Sequence, residues 1–231
     1  MVMHIPDGFL DHKTSAGLMG AAAAILGFSF AKVASAVTAL VPQRVLAAAG
    51  NALGNVQTAA KRVLTEDGEK KLRGMAVIAG WIFAAQTFNF PISSGTSGHL
   101  LGGVFAAVLL GPFEGATVIA AVLAVQAVFF GDGGKMALGA NIINMAVIGA
   151  LGGYALFSGF NRFLSKMNSA ALAAWASVVI AAAACSMEIG YSGTIEFSKV
   201  FPAMVKTHCL IGIVEAFITV AALKYYEKRP L

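Results

Sequence analysis

ATVIAAVLAVQAVFF (residues 116–130), GDGGK (131–135) and MALGANIINMAVIGALGGYALFSGF (136–160) decide the fold. Two long apolar runs are joined by a short glycine-rich turn, and Asp132 and Lys135 are the only charges in the whole stretch. Runs this long and this uncharged read as membrane-embedded helices, since a helix in a soluble core keeps one polar face. Composition extends the reading to the rest of the chain: of 231 residues, 58% are hydrophobic and 12% charged, whereas a soluble domain carries about 25% charged residues.

Working outward, seven apolar segments can be drawn, at 16–41, 74–92, 99–110, 116–130, 136–160, 170–187 and 203–223. The expected architecture is an all-α polytopic membrane protein of about seven transmembrane helices, with residues 1–231 forming one domain. The third and fourth segments fall short of the roughly 20 residues a spanning helix needs. The connections around them should therefore dip into the protein, where cavity or neighbouring chain satisfies irregular backbone. No basic region precedes the first run, which is also too long for a signal peptide, so no cleaved targeting segment is expected. Cys185 and Cys209 lie in apolar runs without CxxC spacing and read as small packing residues.

Alternating the segments across a bilayer sorts the charge. Lys32, Arg44, Lys61, Arg62, Lys70, Lys71, Arg73, Arg162, Lys166, Lys224, Lys228 and Arg229 fall on one side, and Lys13, Lys135, Lys199 and Lys206 on the other. The positive-inside rule makes the richer side cytoplasmic, with the N-terminus outside and the C-terminus inside. The net charge of +5 thus reads as a topology signal, with no nucleic-acid partner. The 42–73 connection is the one soluble-looking piece. Residues 45–64 are expected to form an amphipathic surface helix, closed by Thr65-Glu66-Asp67-Gly68. The Gly149–Gly153 spacing predicts close helix packing.

Four histidines are present, at 4, 12, 99 and 208. His99 follows the small polar loop Ser93-Ser94-Gly95-Thr96-Ser97-Gly98 and opens the short third segment, where an imidazole needs a partner. His4 lies close to the chain start. An α-amine, deprotonated amides and an imidazole in that arrangement can wrap one cation in a plane of nitrogens, a geometry that suits Ni²⁺ or Cu²⁺ better than Zn²⁺. A start at Met3 supplies amine, amide and imidazole, leaving a place for His99. A mature start at Val2 fills the plane from Val2-Met3-His4 alone, with His99 axial or unused. Retention of Met1 gives no simple chelate. Pro6, the Asp7-Gly8 turn and Phe9-Leu10 read as anchoring residues after the histidine.

Among the other polar residues of the apolar runs, Asn141, Asn144 and Gln126 are expected mainly to make interhelical hydrogen bonds. Support of a metal site is the secondary role for Asp7, Ser97, Asn141 and Asn144. Glu215 sits deep in the last segment and calls for a partner. His208, seven residues earlier, is about 10 Å away along a helix and is not a direct one.

Taken together, MHIPDGFL (3–10), SGTSGHLLGG (94–103), FFGDGGKMALGANIINM (129–145) and HCLIGIVEAFIT (208–219) resemble the CbiM/NikM family. These are the substrate-binding membrane components of energy-coupling factor ABC transporters for nickel and cobalt. The resemblance implies a helical bundle with the N-terminal segment folded into its outer half. It implies Met3, His4 and His99 as metal ligands and Ni²⁺ or Co²⁺ as the transported substrate. The implied partners are an integral membrane coupling (T) component, cytoplasmic ABC ATPase subunits and a small accessory membrane protein. Pro6-Asp7, in place of the Met-Glu common in cobalt-type members, leans toward nickel. Met1-Val2 ahead of the Met-His and the long 42–73 connection depart from the family pattern. No GxxxxGK[ST] motif occurs, so the ATPase belongs to another chain and no enzymatic activity is expected. Two other classes fit parts of the sequence. One is an intramembrane serine protease using Ser97 of Gly95-Thr96-Ser97-Gly98 with His208 as base; the other is an ion channel or secondary transporter.

Overall fold

A computed structural model gives the fold and describes residues 4–46, 56–87, 90–92, 96–98 and 100–229. The helices in chain order are α1 (His12–Val37), α2 (Glu66–Gln86), α3 (Gly103–Leu110), α4 (Pro112–Val125), α5 (Leu138–Ile142), α6 (Gly153–Phe160), α7 (Lys166–Tyr191) and α8 (Phe197–Lys228). Two π-helical stretches, Gln126–Phe130 and Ile143–Gly152, extend α4 and join α5 to α6. Among the described residues, five helices are long and apolar enough to cross a membrane: His12–Val37, Pro112–Phe130, Leu138–Phe160, Lys166–Tyr191 and Phe197–Lys228. The other two apolar segments became α2 and α3. The first turns of α2 hold Glu66, Asp67, Glu69, Lys70, Lys71 and Arg73, and the eight residues of α3 reach only about 12 Å.

Three expectations are corrected. The surface helix over 45–64 is absent; β1 (Thr38–Leu46) pairs antiparallel with β2 (Val56–Leu64), and 47–55 lie outside the described residues. A helix there would have carried Gly50 and Gly54 in its interior, each at about 1 kcal/mol against Ala. Thr65 opens α2 where it was expected to close a helix, its Oγ accepting from Gly68 N at 2.9 Å while its own N–H donates to Val37 O at 3.0 Å. The third helix starts at Gly103, not His99, and Thr96–Gly98 is a strand paired with Phe90–Ile92. Gly102 stands at φ +70, in the left-handed region, so the α-helix cannot extend backward through it.

The core is built on small side chains. Ala106, Ala107, Ala116, Ala120, Ala146, Ala150, Ala173, Ala174 and Ala181 are buried between α3, α4, the 143–152 stretch and α7. Backbones meet where glycine permits it: a Cβ on Gly103 would lie 2.6 Å from the carbonyl carbon of Gly149. Gly149 and Gly153 are close-packing positions as expected, facing Leu101 and Val104. A second apolar cluster joins Ile5 and Leu10 of the N-terminal segment to Ala137, Ala140, Cys185, Ile189, Val200 and Met204. The N-terminal segment is thus folded into one end of the bundle. The hairpin and the Lys71–Glu114 and Lys166–Glu227 pairs mark the other, basic end.

Candidate metal site

Ile5, Asp7 and Phe9 are each tied down by groups far along the chain, at 134–141 and at Thr194. Asn141 holds Ile5 at both polar atoms: its Oδ1 accepts from Ile5 N at 2.7 Å and its Nδ2 donates to Ile5 O at 3.1 Å. Gly134 N donates to the same carbonyl at 2.9 Å. The Asp7 carboxylate accepts from Lys135 N (3.1 Å), Met136 N (2.8 Å) and Ala137 N (3.3 Å). It therefore caps the helical run that begins at Leu138 from a distant part of the chain, where the helix dipole favours an anion. Gly134 is required for this contact, because a Cβ there would overlap the Asp7 carboxylate and amide. At the end of the segment, Thr194 Oγ donates to Phe9 O at 2.7 Å. Asp11 caps α1 by accepting from Lys13 N and Thr14 N and takes a further bond from Ser192 Oγ at 3.1 Å. The Thr14 hydroxyl, first among these donors, holds the Asp11 carboxyl down at about 2.

This anchoring buries His4, which is 1% exposed, with Nδ1 3.1 Å from Asp132 Oδ1. Asp132 lies in the turn after the first π-helical stretch, whose Gln126 carbonyl accepts from its N–H. The contact fixes the orientation of the ring and sets a carboxylate beside its Nδ1. A Cβ on Gly133 would lie 3.2 Å from both His4 Cβ and Asn141 Nδ2, so the turn packs directly on the histidine.

Of the other expected site residues, Val2, Met3 and His99 lie outside the described residues. Ser97 is in the short strand opposite Pro91. Asn141 acts on the N-terminal segment, and Asn144 Nδ2 donates across to Glu188 Oε2 on α7 at 2.7 Å. Gln126 is buried at 2% exposure. His208 is fully buried with Nδ1 at 2.7 Å from Met204 O of its own helix, which does not favour the protease alternative. Glu215 has the partners it called for: Oε2 accepts from Leu101 N at 3.0 Å and Oε1 from Gly102 N at 2.7 Å. Among the described residues, no three His, Cys, Asp or Glu side chains converge as a metal-binding group. The sequence marks Asp132 only as part of a tight outer turn among polar residues with a secondary claim on the metal site, and Glu188 not at all. The only signal for Asp132 was its isolation as the one acid in a 45-residue apolar stretch.

The chain is similar to known metal transport proteins. Residues 37–230 match the CbiM family model, described as cobalt uptake substrate-specific transmembrane region. The cobalt transport protein CbiM of Sorangium cellulosum is 31% identical over 163 residues, covering 67% of this chain and 72% of that protein. The fused nickel transport protein NikMN of Rhodobacter capsulatus is 34% identical over 173 residues, covering 67% of this chain; the match spans only half the length of that fused protein. A crystal structure of a truncated transition metal transporter superposes with a TM-score of 0.79 at 28% identity, covering 97% of this chain and 98% of that one. The chain is a multi-pass membrane protein and belongs to the CbiM/NikM family of nickel and cobalt transport proteins.

Proposed function

We propose that this chain is the metal-capturing component of an energy-coupling factor transporter, taking Ni²⁺ or Co²⁺ from outside the cell for ATP-driven uptake. The observation that carries the reading is the N-terminal segment sewn into the bundle end, with the His4 imidazole buried against Asp132. Residues 1–12 form the chelating arm, with Met3, His4 and His99 as ligands and Val2 as the amine donor if the mature chain starts there. The six-membered chelate ring that includes the His4 amide closes through Nδ1, the nitrogen that faces Asp132 in the structure. Loading the cation exchanges that contact for a metal bond and leaves the carboxylate beside the new positive charge.

Leu101, two residues on from His99 in sequence, lies against Gly149 of the helical run that also carries Asn141. The basic end, with the 42–73 connection and the C-terminus, is cytoplasmic in this reading and faces the coupling component and the ATPase subunits. A small accessory membrane protein completes the assembly.

Titration calorimetry with Ni²⁺ on the purified full chain tests the reading. His4→Ala and His99→Ala should each abolish high-affinity binding, and extra N-terminal residues should weaken it. Wild-type affinity in either histidine variant contradicts a joint site.

A further inference from the structure

Away from the N-terminal segment, the bundle buries a charge that the metal site does not use. Glu215 of α8 is 3% exposed, and its two carboxylate oxygens accept from the N–H groups of Leu101 and Gly102. Among the described residues no lysine, arginine or histidine forms an ion pair with it. Two neutral amides leave the carboxylate an anion, and each oxygen keeps a further acceptor position. A second acceptor is linked to it through Leu101. Gln86 of α2 donates from Nε2 to Leu101 O at 2.9 Å, and that carbonyl fixes which end of the amide points there. Gln86 Oε1 is buried and has no donor among the described residues. Native structures rarely bury an unsatisfied acceptor without a bound group to explain it.

Both side chains line one cleft of about 350 Å³ between α2, α3 and α8. Its walls are otherwise apolar, formed by Ile82, Phe105, Ile218 and Ala222. Ile218 is exposed within a helix long and apolar enough to cross a membrane, as are Trp81 and Tyr225 at the rim, so the cleft opens toward hydrocarbon. From Glu215 to Tyr226 it follows eleven residues of α8, about 16 Å. Dividing 350 Å³ by that length leaves a cross-section of about 20 Å², far less than a helix about 10 Å across requires. A small apolar cleft with a few convergent polar groups is the usual form of a small-molecule site.

The head group follows from the two acceptors. An ammonium brings a positive charge and three N–H donors, with no acceptor of its own to satisfy. A hydroxyl or a water molecule can donate to Gln86 Oε1 but brings no charge to Glu215. A carboxylate or phosphate head would meet Glu215 as a like charge.

We infer that the cleft between α2, α3 and α8 binds a lipophilic primary amine that arrives through the bilayer. Its ammonium meets the Glu215 carboxylate and Gln86 Oε1, and one hydrocarbon chain lies along Ile82, Phe105, Ile218 and Ala222 toward Tyr226. The site is separate from the N-terminal segment, and none of these residues is a metal ligand in the proposed function.

Fluorescence quenching of the full chain in lipid nanodiscs tests the assignment. Of the two tryptophans, Trp175→Phe leaves Trp81, which lines the cleft, as the one indole. That protein is titrated with a chain-brominated dodecylamine, with plain dodecylamine, dodecanol and dodecanoate as competitors. Quenching should saturate and be reversed by dodecylamine, whereas dodecanol and dodecanoate at equal concentration should leave it in place. Glu215→Gln removes the charge at similar shape. It should raise the half-saturation concentration at least about 30-fold, the usual loss when one partner of a buried charge pair is truncated. Quenching that rises without saturation, as partition into the bilayer alone would give, overturns the inference. So does a half-saturation unchanged by E215Q, or equal competition by either of the other head groups. Should E215Q lose its cooperative thermal transition, Ala85→Leu carries the test. It extends a side chain into the cleft and leaves Glu215 and Gln86 in place. Saturable quenching should vanish in A85L, and quenching unchanged there overturns the site.

Discussion

Replacing Asn141 by Ala asks whether the anchoring of the N-terminal segment governs metal affinity. The side chain makes two buried hydrogen bonds to Ile5. After substitution the Ile5 carbonyl still accepts from Gly134 N, but Ile5 N–H loses the Asn141 oxygen in a site where Ile5 is fully buried. Leaving a buried donor unsatisfied costs about 1–3 kcal/mol. The loss counts because docking is nearly balanced. Ile5 and Leu10 contribute about 1.5–3 kcal/mol each on leaving water, and the six bonds to Asn141, Gly134 and Asp7 about 1 kcal/mol each. Ordering residues 4–10 costs about 1.5 kcal/mol per residue, which offsets nearly all of it. A loss of about 2 kcal/mol therefore undocks most of the population, and from a balanced equilibrium the apparent Kd for Ni²⁺ should rise about fifteen-fold. Calorimetry reads the affinity and hydrogen exchange at the Ile5 amide reads the docking. Affinity within twofold of wild type, with the Ile5 amide still protected, would refute the reasoning.

Two further perturbations act at neighbouring points. Gly134→Ala places a methyl group on the Asp7 carboxylate, so it should undock the segment at least as completely as the Asn141 variant. Gly17→Ala, which meets open space on α1, should leave nickel affinity unchanged; equal affinities in the two variants would contradict the steric argument. Asp11 carries the pH dependence. Its carboxyl is held at about 2, below the ordinary aspartate value, so the cap on α1 is complete above pH 4 and is lost as the pH falls toward 2. The carboxyl ¹³C shift should titrate near 2 in the native chain and move up toward 4 in Thr14→Val; a native titration near 4 would contradict the bonding described.

The apolar runs were legible in the sequence because length and absence of charge identify membrane helices without tertiary information. The N-terminal segment was legible for the same kind of reason: Pro6, Asp7 and Gly8 carry local conformational meaning wherever they occur. What escaped were features set by partners far along the chain. Asn141 reads as an interhelical residue until Ile5 is seen lying against it, and Asp7 reads as a turn residue until it is seen capping the helical run from Leu138. The start of α3 could not be placed because Gly102 takes a left-handed conformation, φ +70, that breaks the apolar run without a local signal beyond the glycine itself. The hairpin at 38–64 was missed because its strands lack a clean two-residue alternation, so hydrophobic periodicity gave no warning.

The central claim is that the chain start and His99 chelate the transported cation together. X-ray absorption at the nickel edge of the metal-loaded full chain tests it most directly, with the mass of the mature N-terminus measured on the same sample. The expected result is a tetragonal shell of nitrogen donors with imidazole scattering that diminishes in His4→Ala and in His99→Ala. A shell dominated by oxygen or sulfur, or one that neither substitution alters, would contradict it.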